Sequence, residues 1–114
     1  MNTAFIGFNT KDVTLSASSS LTVGQPVVIY SNNSVVKAAA DTKFCGFVSA
    51  VNGQKVSVTV AGYVKVRYTG TEPSHGYCNL SSNGSTGVKI DDTNGRSLLV
   101  VGVDTTNKTV EIIL

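Results

Sequence analysis

From Val56 to Tyr68 the apolar side chains fall on even positions: Val56, Val58, Val60, Val64, Val66 and Tyr68. Ser57, Thr59, Tyr63, Lys65 and Arg67 take the odd ones. A period of two belongs to an extended strand with one buried face, and a helix cannot satisfy it. Ala61-Gly62 interrupts the run. This predicts either one long strand bent through Gly62 or two strands meeting there at a bulge or barrel corner. Composition points the same way: Val, Ile and Thr supply 36 of 114 residues. Such β-branched side chains are stiff at χ1 and pack best on a pleated surface. These grounds argue against a helical bundle, a coiled coil and a disordered tail. The length suits one domain and needs neither a metal nor a disulfide staple to fold.

Asn52-Gly53 lies between the β-rich runs Phe44–Val51 and Gln54–Val60. Asn and Gly tolerate the positive φ of a type I′ hairpin turn. A two-residue loop there sets Val51 opposite Gln54, and then Ser49, Phe47 and Cys45 opposite Val56, Val58 and Val60 on one apolar face. A second hairpin is expected from Leu98–Val103 and Thr109–Leu114. A weak internal repeat also runs through the chain. Val23-Gly24-Gln25-Pro26, Ser31–Ser34 and Val36-Lys37 are echoed by His75-Gly76, Ser82–Ser85 and Val88-Lys89, at offsets of 51 to 54 residues. The expected fold is all-β: a small antiparallel β-barrel or β-sandwich, pseudo-duplicated, with an extended N-terminal arm. The polar run Ser16–Ser20 reads as a hinge. It divides an arm and hinge at residues 1–20 from a single β domain at 21–114.

Little in the chain suggests reactive chemistry. His75 is the single histidine and Cys78 follows it by three residues, but no nucleophile motif surrounds the pair. Cys45 and Cys78 match no zinc or redox spacing and read as core-packed thiols. Asp91-Asp92-Thr93-Asn94-Gly95 has an EF-hand glycine, yet Ile90 and Val101 would stand at the first and last ligand positions, so a plain turn fits better. No cofactor loop or catalytic signature is present. Tyr63, Lys65 and Arg67 share one strand face in the manner of a single-strand nucleic-acid binder. One tyrosine and a net charge of +2 make a solvated or protein-facing sheet surface the better reading. No apolar run approaches a membrane span. Met1 to Asp12 has neither the basic nor the apolar part of a signal peptide, so a non-exported protein with reduced cysteines is expected.

Several segments in order resemble a known family. They are Leu21-Thr22-Val23-Gly24-Gln25-Pro26-Val27, Phe44-Cys45-Gly46-Phe47-Val48, Ala61-Gly62-Tyr63-Val64, Pro73-Ser74-His75-Gly76-Tyr77 and the terminal Val100–Leu114 hairpin. Together they are similar to the small β-rich capsid decoration (cement) proteins of tailed bacteriophages, with Gln25 where that family usually has an acid. The resemblance covers roughly residues 21–114. It implies a virion structural protein, not an enzyme, that binds the outer surface of an assembled phage head after a stay in the host cytoplasm. Its partner would be the major capsid protein, bridged at local symmetry axes, commonly as a homotrimer. Neither nucleic acid nor membrane is an expected partner, and no cofactor or metal is implied. In related systems an N-terminal arm adds to the capsid sheet. That role would fall here on Phe5, Ile6, Phe8, Val13 and Leu15, through main-chain pairing and side-chain pockets. Two other classes compete: a head-fibre or tail component, and a carbohydrate- or ligand-binding β module built on Tyr30, Tyr63, Tyr68 and Tyr77.

Overall fold

A computed structural model describes residues 10–114 and contains strands, turns and no helix. The strands are β1 (Lys11–Ala17), β2 (Pro26–Ser31), β3 (Ser34–Lys37), β4 (Gly46–Asn52), β5 (Lys55–Ala61), β6 (Tyr63–Tyr68), β7 (Gly76–Ser82), β8 (Gly87–Ile90), β9 (Arg96–Asp104) and β10 (Thr109–Ile113). β5 and β6 sit where β-branched or aromatic residues alternate with polar ones, whereas β2 and β9 are built on short apolar runs. Gly, Asn and Asp mark the breaks, several of them at positive φ: Asn33, Gly53, Gly62, Gly70 and Gly84. Lys11–Ala17, within the segment read from sequence as an arm, is a strand paired with β5 along Lys11–Ser16 and with β3 at Ser16 and Ala17.

The ten strands form two closed five-stranded barrels, ordered β1-β3-β2-β4-β5 and β10-β6-β8-β7-β9. Advancing every strand of the first by five gives the second, so the duplication expected from the repeat is present in the topology. Most pairings are antiparallel, as read from sequence. Each barrel nevertheless closes through one parallel pair, Ser16 and Ala17 beside Ser34 and Val35, and Arg67 and Tyr68 beside Gly87 and Val88. Gly62 joins β5 to β6 at φ 100, and its carbonyl accepts the Leu114 amide at 2.9 Å. The two-strand reading of the Val56–Tyr68 run therefore holds, with Gly62 as the passage between barrels.

The first hairpin differs in register from expectation. Asn52 pairs with Lys55 and Val51 with Val56, which leaves Gly53 and Gln54 at the turn. Gly53 takes φ 63, as a type II′ turn requires at its first central position. A bulge at Ser49 then shifts the ladder, so Val48 faces Val58 and Phe47 faces Thr59. Val48 and Val58 point into the first barrel, with Val27, Val35 and Val56. Phe47 points the other way. β9 carries the matching bulge: Gly102 pairs with Glu111 and Val100 with Ile112, which leaves Val101 over.

That reversal of Phe47 builds the seam between barrels. Phe47, Phe44 and Ala38 join Val66, Tyr68, Leu80, Val88, Leu98, Val100, Val110 and Ile112 in the larger core. The segment 38–45, between β3 and β4, lies along the second barrel. The Asp41 amide donates to the Ser82 carbonyl, and the Ser82 amide donates to the Thr42 carbonyl, both at 3.0 Å. The Ser82 hydroxyl donates to the Ala38 carbonyl at 2.9 Å, and Lys89 forms an ion pair with Asp41. Burial of polar backbone at the seam is thus compensated by hydrogen bonds.

Candidate interaction surface

His75 and Cys78 are not brought together as a reactive pair. Cys78 is half-buried against the core of the second barrel. His75 is exposed and lines an open groove of about 320 Å³ with Lys65, Gly102, Val103, Asp104, Thr109 and Glu111. Cys78 does not reach that groove. Its two carboxylates are already engaged. Glu111 accepts from the Tyr63 hydroxyl at 2.8 Å, and burial, then this carboxylate, pushes the Tyr63 phenol up to about 12. Asp104 accepts from the Thr106 and Asn107 amides at 3.0 and 3.1 Å, and from the Asn107 side chain at 2.9 Å. Those bonds, the Asn107 amide foremost, hold its carboxyl below the ordinary range.

The Asp91–Gly95 segment is a turn closed on itself. Asp91 Oδ1 accepts from the Thr93 and Asn94 amides at 3.1 and 2.8 Å, and Oδ2 from the Ser81 hydroxyl at 3.0 Å. Among the described residues no group of three His, Cys, Asp or Glu side chains is placed to hold a metal ion. Burial pushes the Cys45 thiol up, which keeps it protonated and unreactive near neutrality.

The surface is more informative than the groove. Register sets Tyr77 beside Leu99, Leu99 beside Ile113, and Ile113 beside Tyr63. These four side chains form a row across the outside of four strands of the second barrel. Tyr77 is 77% exposed at its end. The adjoining rows on the same face carry Lys65 with Glu111, and Arg67 with Thr109, so Tyr63, Lys65 and Arg67 do share one outer face. On the first barrel Ile29 and Tyr30 are 57% and 69% exposed. Tyr68 is buried, and Tyr30 and Tyr77 lie on different barrels, so the four tyrosines make no common platform.

Of the residues expected to grip a partner, Phe5, Ile6 and Phe8 lie outside the described residues. Val13 and Leu15 belong to β1, opposite Val58 and Val56. Leu15 packs against the core of the first barrel, while Val13 remains 40% exposed. The sequence reading missed the tyrosine-ended row and the exposed end of β2. Both follow from cross-strand register, which a one-dimensional alternation does not carry.

No family model matches this chain, and no curated protein and no solved structure matches it either.

Proposed function

We propose that this chain is a virion decoration protein that attaches to the outer surface of an assembled phage head and bridges neighbouring capsid subunits. The observation that carries this reading is the position of its exposed apolar side chains. Tyr77 stands on an outer strand face of the second barrel, and Ile29 and Tyr30 lie at the exposed end of β2, whereas the groove beside His75 and the one beside Ser18–Ser20 are open and lined mainly by polar groups. Bulky apolar side chains on a convex, rigid body suit a protein partner better than a small substrate. The ordered likeness of residues 21–114 to the decoration family supplies the identity of the partner. The same reading places the protein on the capsid exterior, without nucleic acid, membrane or catalytic function. A homotrimeric arrangement on the lattice belongs to the proposal.

Five-stranded closure also limits how attachment works. Where both sides of a strand are paired, no main-chain groups are free for a partner. Strand addition must therefore use the chain before β1, where Phe5, Ile6 and Phe8 lie, or a stretch of strand left open on one side. Many copies, each with a modest contact, add up to strong reinforcement of a lattice.

The test is cosedimentation with purified heads that lack the protein. Full-length chain should pellet with the heads and raise their resistance to heat. Replacing Phe5, Ile6 and Phe8 with Ser should weaken binding while leaving β1 and both barrels intact. Full-length protein that stays in the supernatant at saturating head concentration overturns the proposal.

A further inference from the structure

The duplication allows the two barrels to be compared position by position. Val27, Val28 and Ile29 pair with Lys37, Val36 and Val35. Leu80, Ser81 and Ser82 pair with Ile90, Lys89 and Val88 in the same way. Ile29 in β2 therefore holds the place of Ser82 in β7, and Val36 holds that of Lys89. Val27 and Leu80, and likewise Val35 and Val88, are fully buried at equivalent places, which supports the alignment.

The two positions are treated differently. Ser82 is fully buried and exchanges two backbone hydrogen bonds with Asp41 and Thr42. This is the bonding of a short added strand, and Lys89 holds the Asp41 side chain beside it. At β2 the Cys45 amide donates to the Val27 carbonyl at 2.8 Å, so the polar groups of Val27 point away from β3. By alternation those of Ile29 point the same way. β4 pairs with β2 at Pro26 and Val27, and the chain at 38–45 then leaves for the second barrel. Among the described residues no strand lies beside Ile29 on that side, and Ile29 and Tyr30 are exposed there. Val28-Ile29-Tyr30-Ser31 carries no charge and no proline, the usual guards of an open strand edge.

We propose that the open side of β2 at Ile29–Ser31 receives an extended, uncharged segment of the capsid subunit as an added strand, as Ser82 receives Asp41–Thr42. This rests on the decoration reading above. The chemistry of the occupant follows from the comparison. Val36 stands where Lys89 holds an aspartate, so an apolar residue takes the place of Asp41, and Ile29 and Tyr30 offer apolar contacts beside it. Among the described residues a second copy has no equivalent loop to donate. Its 38–45 segment is bonded to its own β7, and its corresponding 91–95 turn is closed by Asp91. Main-chain pairing supplies affinity, and the flanking side chains supply selectivity.

Hydrogen exchange of the full chain, free and bound to purified heads lacking it, tests the assignment. Peptides covering Val27–Ser31 should gain protection on the heads, with the Ile29 amide slowed at least tenfold, while the Ser82 amide stays slow in both states. Ile29→Pro removes only an N–H that faces away from β3, a place where an edge strand tolerates proline. It should lower head binding at least tenfold. Ile29→Lys should do the same with its backbone unchanged, and so separates strand blocking from misfolding. Binding to heads with Ile29 still exchanging freely overturns this assignment and leaves the decoration reading standing. Protection that grows with protein concentration in the absence of heads assigns the edge to a second copy and overturns it too. Failure of the unaltered protein to bind heads overturns both readings.

Discussion

Phe44 and Phe47 meet with ring centroids 4.7 Å apart and planes inclined at 53°, and both come from the first barrel's stretch of chain yet pack in the core of the second. The tilted contact is a favoured aromatic geometry. Arg96 of the second barrel completes the arrangement, with its guanidinium 5.9 Å from the Phe44 ring centroid and an N–H donated to the Phe44 carbonyl at 3.3 Å. The bulge at Ser49 is what turns Phe47 outward from its own barrel. One irregular residue in β4 thus couples the two halves of the molecule.

Removing that anchor should weaken the whole molecule. Phe47→Ala deletes a buried ring from the seam, and truncations of this kind cost about 3–5 kcal/mol. Urea unfolding followed by tyrosine fluorescence and by far-ultraviolet circular dichroism should show the loss. Val51→Ala, at an exposed site on the same strand, should change stability by less than about 0.5 kcal/mol. Equal effects from the two substitutions would contradict the packing described.

Gly46 tests the close approach of β4 to β5. A Cβ there would run into the Thr59 carbonyl oxygen, with the Val58 side chain also 2.9 Å away. Gly46→Ala should destabilise by roughly 1–3 kcal/mol, as overpacking does. Gly24 and Gly53 have open space at the same point but positive φ, so alanine there costs backbone strain rather than a clash. A Gly46→Ala protein with an unchanged denaturation midpoint would mean that β4 sits farther from Thr59.

Acid stability should depend on two turn aspartates. Asp91 is held below its ordinary value of 3.8 chiefly by the Asn94 amide, and Asp104 chiefly by the Asn107 amide. A carboxyl lowered in the folded state contributes stability that is present above its unfolded value and lost as pH falls through the folded one. The melting temperature should therefore hold down to about pH 4 and decline below it. Asp91→Asn and Asp104→Asn should each flatten part of that decline. The opposite sign applies to Tyr63, whose phenol is raised to about 12 by burial and then Glu111. Its contribution is present below its ordinary value of 10.0 and lost as pH rises toward 12. Tyr63→Phe should remove that alkaline step, which tyrosinate absorbance would follow.

The all-β class and the inward faces of the Val56–Tyr68 run were legible in the chain because alternation is local, and the duplication because it repeats segments of like composition. Val56, Val58, Val66 and Tyr68 are buried as their even positions require. The bulges at Ser49 and Val101 were not legible, since a bulge shows only against a partner strand. That is why Phe47 was placed on the wrong face. The parallel closures rest on two register pairs each, too little sequence to leave a pattern. The bonding of Asp41–Thr42 to Ser82 joins residues about forty positions apart with no shared motif, and the open side of β2 is visible only by contrast with it. His75 was singled out for its residue type, but type alone says nothing of which groups face it.

Tyr68 offers a last check on the second barrel. Its ring is buried against the core, its amide donates to the Lys108 carbonyl at 3.0 Å, and the Lys108 ammonium lies 5.7 Å from its ring centroid. Its hydroxyl is buried and has no hydrogen-bond partner. A buried polar group without a partner loses its bonds to water and gains nothing in return. Tyr68→Phe keeps the ring, its packing and the cation above it, and deletes only the unsatisfied oxygen. The variant should melt at a higher temperature than the parent, with an unchanged denaturant slope. A lower melting temperature would show that the hydroxyl is satisfied in solution, by a bound water or by a shift of the 104–108 loop, and that this end of the barrel is wetter than described.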